Sequence, residues 1–148
     1  MSFWQALRIG SSGLTAQRLR LDLISNNIAN AQTTRTEKGG AYQRQEAVFM
    51  PETNNPVLPQ AVAARRADLG SLQGGVRVAE ITTDAGAGPR VYDPTHPDAD
   101  AQGYVNYPNV DIVVEMTNML SATRSYEANL SSIEAVKRMA LKALEIGR

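Results

Sequence analysis

All seven prolines of this 148-residue chain fall between Pro51 and Pro108, and eight of its eleven glycines fall between Gly39 and Gly103. Proline lacks the backbone donor and clashes with the preceding helical turn. A proline-rich centre between proline-free flanks therefore predicts a helix at each end of a non-helical middle. The expected fold is mainly α with a small β-rich middle: long N- and C-terminal helices pairing as a coiled coil, and a short-strand and loop domain between them. The expected divisions are 1–35 for the N-terminal helix, 36–109 for the middle and 110–148 for the C-terminal helix.

The first helix is expected from Phe3 to Asn30. Leu7, Leu14, Leu21 and Ile28 recur every seven residues, and Trp4 and Ile24 extend the stripe. Such a repeat is the seam of a left-handed coiled coil. Gly10 and Gly13 weaken the helix by about 1 kcal/mol each relative to alanine. The segment 25-SNNIANAQTT-34 ends it, since asparagine tolerates the left-handed conformation of many helix ends and its amide bonds freed backbone groups. The second helix is expected from Asp111 to Ile146, where Met116, Met119, Thr123, Tyr126, Leu130, Ile133, Lys137, Ala140 and Leu144 follow steps of three and four.

At 1.5 Å per residue the two helices span about 40 and 50 Å. The chain has only one Trp, five Tyr and two Phe to anchor a core. Seams this long have too little of the chain's own mass to cover them, so partners from other chains are expected. Met116, Met119 and Met139 fit either an ordinary core or an adaptable binding face. The middle is expected to hold short strands at Tyr42–Phe49, Gly75–Thr82 and Arg90–Tyr92. Between the first two, residues 51–75 are expected to form a long loop with one helical turn at Ala61–Arg66.

Composition narrows the chemistry. Lys plus Arg and Asp plus Glu are 15 each, a formal net charge of zero, so general nucleic-acid binding is not expected. The absence of cysteine and the single histidine exclude disulfides, thiolate zinc sites and multi-histidine metal sites. No apolar run is long enough for a transmembrane helix, and the start lacks the features of a cleaved secretory signal. The run 93-DPTHPDADAQG-103 gathers Asp93, Asp98 and Asp100 beside His96. It resembles the start of a calcium loop with Gly103 at the sharp turn, but Gln102 and Asn109 stand where ligands are needed. A turn-rich loop using Asp and Pro for local bonds is the favoured reading. His96 lacks the pocket and partner a general base requires. 10-GSSG-13 is not a phosphate loop, Asn129-Leu130-Ser131 lies within a helix, and Arg65-Arg66 is too short for a nucleic-acid patch. No catalytic residue, cofactor or metal ligand is assigned, and the chain is not expected to be an enzyme.

The segment 25–34, directly after an amphipathic helix, resembles the signature of flagellar rod and hook axial proteins, whose Ser-x-Asn-hydrophobic-Ala-Asn core is met by Ser25, Asn27, Ile28, Ala29 and Asn30. Further runs are similar to the C-type proximal branch of the basal-body rod proteins: Gly39 to Arg44 with Val48-Phe49, Val91 to Val105 with Pro108 to Asp111, Glu115-Met116 to Asn118-Met119, and Arg124 to Asn129. The resemblance implies a structural subunit exported unfolded through the flagellar type III apparatus without a cleaved signal. It would polymerise helically into the rod that crosses the periplasm and carries torque from motor to hook. Implied partners are copies of itself, other rod proteins, the rod–MS-ring junction protein and the export apparatus, with no nucleic acid and no direct membrane insertion. Ser25, Asn27, Ile28, Ala29 and Asn30 would form the assembly motif. Leu7, Leu14, Leu21, Ile28, Met116, Met119, Tyr126, Leu130, Ile133 and Leu144 would form the coiled-coil seam. The alternatives are another axial rod protein, B-type or distal, and a small metal-dependent enzyme built on the Asp93–Asp100 cluster.

Overall fold

The structure is a computed structural model that describes residues 3–37, 39–52 and 74–146. Its elements are α1 (Phe3–Ala29), β1 (Gln45–Pro51), β2 (Val76–Thr83), β3 (Arg90–Tyr92), β4 (Tyr104–Asn106) and α2 (Ile112–Ile146). Two long helices pack together, and the four strands form two small antiparallel sheets between them in sequence. The expected helical turn at Ala61–Arg66, and with it Arg65-Arg66, lies outside the described residues. No helix among the described residues is long and apolar enough to cross a membrane.

The helices run antiparallel. Gly10 of α1 lies against Ile133 of α2, Gly13 against Asn129, and Asn27 against Glu115. A Cβ on Gly10 would come within 2.6 Å of Ile133 Cγ1, and one on Gly13 within 2.8 Å of Asn129 Nδ2. The two glycines expected only to weaken α1 are thus where side chains of α2 lie directly against its backbone. The buried residues of α1 are Ala16, Leu23, Ile24 and Asn27. At about 100° per residue, Leu7, Leu14, Leu21 and Ile28 fall on the flank of that inward face, and all four are half-buried. On α2, Glu115 and Ala122 are buried and Met119, Tyr126 and Ile133 half-buried, whereas Met116, Leu130 and Leu144 are 61%, 42% and 71% exposed.

β1 pairs with β2 from Gln45–Thr83 to Pro51–Val76, with a bulge between Val48 and Phe49. The first strand begins three residues later than expected because Tyr42 and Arg44 bond outside the ladder. The Tyr42 amide donates to Thr33 O at 3.0 Å and the Arg44 amide to Asn109 Oδ1 at 3.2 Å. β3 pairs with β4, a strand beyond the three expected from the sequence. The pair is braced by an edge-on contact of Tyr92 and Tyr104, with ring centres 5.3 Å apart, and by Arg90 over the Tyr104 ring. The Asp111 carboxylate accepts from the amides of Val113 and Val114, the N-cap that starts α2 at Ile112.

Candidate functional site

The helices and the strands meet at a polar joint built on Asn27. Its side chain is fully buried, and every hydrogen-bonding position of its amide is filled. Nδ2 donates to Gln45 O at 2.9 Å and to Glu115 Oε2 at 3.1 Å. Oδ1 accepts from the Gln45 amide at 2.9 Å and the Tyr42 hydroxyl at 3.0 Å. One side chain on α1 thereby holds the start of β1 and the first turn of α2.

Glu115 is the joint's second centre. It is fully buried on α2 and takes Arg44 Nε on Oε1 at 2.8 Å while Asn27 occupies Oε2. Arg44 reaches on to Glu46 at 3.1 Å. The hydrogen bond to Glu115 raises the Arg44 pKa above its ordinary value against the opposing effect of burial. Burial, followed by the Glu115 charge, raises the Tyr42 hydroxyl above its usual 10.0. A buried carboxylate of this kind is tolerated because it is paired and hydrogen-bonded; removing one partner of such a pair costs about 3–5 kcal/mol. Asn109 extends the joint, since its Oδ1 accepts from the Arg44 amide and its Nδ2 donates to Asp84 O at the end of β2.

The five residues of the 25–30 motif have different environments. Ser25 and Ala29 are exposed and Ile28 is half-buried. Asn30 acts locally: its Nδ2 donates to Asn26 O at 3.0 Å, and its Oδ1 accepts from the Thr33 hydroxyl at 3.2 Å. The left-handed conformation expected to favour asparagine here is not used, because no non-glycine residue described has a positive φ. The chain instead leaves α1 through tight backbone turns, Ala31 donating to Ile28 O and Thr33 to Asn30 O. Nothing in the sequence singles out Tyr42, Arg44, Asn109 and Glu115 as members of one joint with Asn27. Their sequence separations of 15 to 88 residues from it or from each other leave no local signal.

The acidic loop before β4 turns its carboxylates onto its own backbone. Asp93 Oδ1 accepts from the Thr95 amide and hydroxyl, and Asp100 Oδ1 accepts from the amides of Gln102 and Tyr104. Asp100 Oδ2 takes Arg90 at 2.7 Å, and Gly103 turns with φ +81°. Asp98 reaches outward to the Thr34 hydroxyl at 2.8 Å, tying the loop to the exit from α1, while its amide donates to His96 Nδ1. Among the described residues these groups form no cluster able to hold a metal ion.

Two protein families match parts of the chain: the flagella basal body rod protein family over residues 7–35, and the C-terminal region of the flagellar basal body rod FlgEFG proteins over residues 101–146. The first match covers most of α1 and the motif; the second covers β4 and α2. Whole-length relatives include three proteins named flagellar basal-body rod protein FlgC. That of Borreliella burgdorferi is 47% identical over 99% of this chain and 98% of its own length. That of Bacillus subtilis is 40% identical and that of Salmonella typhimurium 37%, each over 100% of both chains.

Proposed function

The chain belongs to the FlgC family of flagellar basal-body rod proteins, and from that premise we propose that it is a structural subunit of the proximal rod that polymerises helically to carry torque from motor to hook. The full-length similarity to FlgC proteins carries this reading. In support, the two helices leave large apolar side chains such as Met116, Leu130 and Leu144 in water, where neighbouring subunits would cover them. A subunit that transmits torque also needs its parts held at a fixed angle, and the Asn27–Glu115–Arg44 joint supplies a rigid connection.

In this reading 1–35 and 110–148 form an inner helical domain and 36–109 an outer one. The motif at Ser25, Asn27, Ile28, Ala29 and Asn30 acts at the boundary between them. The flanks at Leu7, Leu14, Leu21 and Ile28, and at Met116, Met119, Tyr126, Leu130 and Leu144, meet other subunits, while Ile133 of the expected seam lies against Gly10 of its own chain. The partners are copies of the chain, other rod proteins, the rod–MS-ring junction protein and the type III export apparatus, and the site of action is the rod crossing the periplasm. Export leaves the N-terminus uncleaved, and no enzymatic role is assigned. The test is electron microscopy of basal bodies from a strain deleted for the gene. Loss of the rod, restored by the wild-type gene, is expected; complete rods in the deletion strain would overturn the proposal.

A further inference from the structure

Neither β1 nor β2 contains a fully buried residue. A two-stranded hairpin is marginal in water by itself, so apolar burial does little to fix its direction against α1. The joint at Asn27 holds one end of the hairpin, where Gln45 of β1 faces Thr83 of β2. A lever held at one end can still pivot. The other end is held at Ser12. The Val76 amide, at the start of β2, donates to Ser12 Oγ at 3.1 Å, and the same hydroxyl donates to Ile9 O at 2.8 Å. Beside it Gly75 O accepts from the Glu52 amide at 2.7 Å, closing the end where Pro51 faces Val76. The two holds are equally spaced on both elements. Ser12 and Asn27 are fifteen residues apart, about 22 Å along a helix. Gln45 to Pro51 is six steps, about 20 Å along a strand. The hairpin therefore lies along α1, tied at both ends.

The segment 10-GSSG-13 thus meets two elements at once. Gly10 and Gly13 admit α2, and Ser12 takes the hairpin. Ser11 between them is exposed and bonds only back to Arg8 O at 3.0 Å. Serine is a weaker helix former than alanine, so helix propensity does not account for Ser12 in the interior of α1. Its single proton goes to Ile9 O, which leaves the oxygen to accept from Val76. The approach is close on the hairpin side too. A Cβ on Gly75 would stand 2.6 Å from Ser12 Oγ, 3.2 Å from Ser12 Cβ and 2.9 Å from Glu52 Oε2. A Cβ on Gly74, one residue earlier, would meet nothing within 4 Å. Glycine is therefore required at 75 by the contact with Ser12 and not at 74.

We propose that Ser12 is a positioning residue: its hydroxyl latches the Pro51–Val76 end of the hairpin to α1 and, with Asn27, sets the hairpin's direction, so that hairpin and helix move as one body. The use of this latch rests on the rod-subunit reading, since a middle segment that pivots on α1 would take up twist instead of passing it on. Residual dipolar couplings of backbone amides in the full-length chain read the direction. In the wild type and in Gly74→Ala, one alignment frame should fit both α1 and the hairpin. In Ser12→Ala and in Gly75→Ala, the hairpin couplings measured in the frame of α1 should shrink at least about twofold, while the Gln45 amide at the joint keeps its protection from exchange. Faster exchange of the Val76 amide with unchanged couplings would show a local bond only and overturn the positioning role. Gly74→Ala behaving like Gly75→Ala would overturn it too. So would loss of Gln45 protection in Ser12→Ala, which would make Ser12 a support of the whole fold. Each of these outcomes leaves the rod reading intact, whereas complete rods in the deletion strain would overturn that reading and leave the latch standing.

Discussion

Replacing Asn27 by alanine removes four hydrogen bonds at once, and their surroundings set the cost. The loss to Glu115 is the largest, because the carboxylate is fully buried and a hydrogen bond to a charged group contributes about 1.5–3 kcal/mol. The Gln45 amide and carbonyl and the Tyr42 hydroxyl are half-buried, so water recovers part of what they lose; together they add about 1–2 kcal/mol. Asn27→Ala should therefore destabilise the chain by about 3–5 kcal/mol, a large share of the 5–15 kcal/mol typical of a domain. Asn30→Ala, which loses only bonds within its own turn, should cost about 1 kcal/mol. Asn27→Asp is the sharper test. It matches asparagine in shape but sets a carboxylate oxygen where Nδ2 now stands, 3.1 Å from Glu115 Oε2 and 2.9 Å from Gln45 O. Two buried like charges should make Asn27→Asp worse than Asn27→Ala at neutral pH. Burial and the neighbouring charge raise the folded pKa of the new carboxyl, so its excess cost should shrink as falling pH protonates it. Urea unfolding followed by circular dichroism measures all three variants. An Asn27→Asp chain as stable as wild type, or more stable than Asn27→Ala at neutral pH, would refute the role given to the joint.

Gly10→Ala should destabilise by about 1–2 kcal/mol despite alanine's better helix propensity, because the added Cβ meets the stiff, β-branched Ile133 at 2.6 Å; in an Ile133→Ala background the same substitution should cost less, read as a double-mutant cycle in the same unfolding assay. Leu130→Asp should change the free chain by less than about 1 kcal/mol, since Leu130 is already 42% exposed, while export assays and rod counts should show secretion without assembly. Thr95 holds the Asp93 carboxyl below its usual 3.8, and the Tyr104 and Gln102 amides with Arg90 do the same for Asp100. A depressed folded pKa gives a contribution present above 3.8 and lost as the pH falls through the lower folded value, so the Gln102 and Tyr104 amide resonances should move only in that acidic range, and their movement near neutrality would contradict the assignment.

The helices were legible because proline and hydrophobic period are local signals: expected and observed limits differ by one residue at the end of α1 and the start of α2. The inward face of α1 was less legible. Hydrophobic periodicity selects Leu7, Leu14, Leu21 and Ile28 with Ile24 on the same stripe; of these only Ile24 is buried, beside Ala16, Leu23 and Asn27, and α2 lies directly against Gly10, Gly13 and Asn27. Close helix packing rewards small side chains, which a search for large apolar residues passes over. β4 escaped because Tyr104–Asn106 is three residues long and pairs across an Asp- and Pro-rich turn that reads as loop throughout. Asn27 stood out by its place in a motif, but its buried partners come from three separate parts of the chain and no local pattern links them.

Neighbouring subunits in the rod, on the function proposed, cover helix faces that the single chain leaves in water. Hydrogen–deuterium exchange read by mass spectrometry detects that cover, on peptides from both ends of the helix pair, in the free full-length chain and in isolated basal bodies. Helices without tertiary burial are marginal in water, so residues 3–8 and 137–146, beyond the Gly10–Ile133 contact, should exchange quickly in the free chain and slowly in the rod, while the joint around Asn27 and Glu115 should be protected in both. Equal protection of the helix ends in the free chain and in the basal body would contradict the claim.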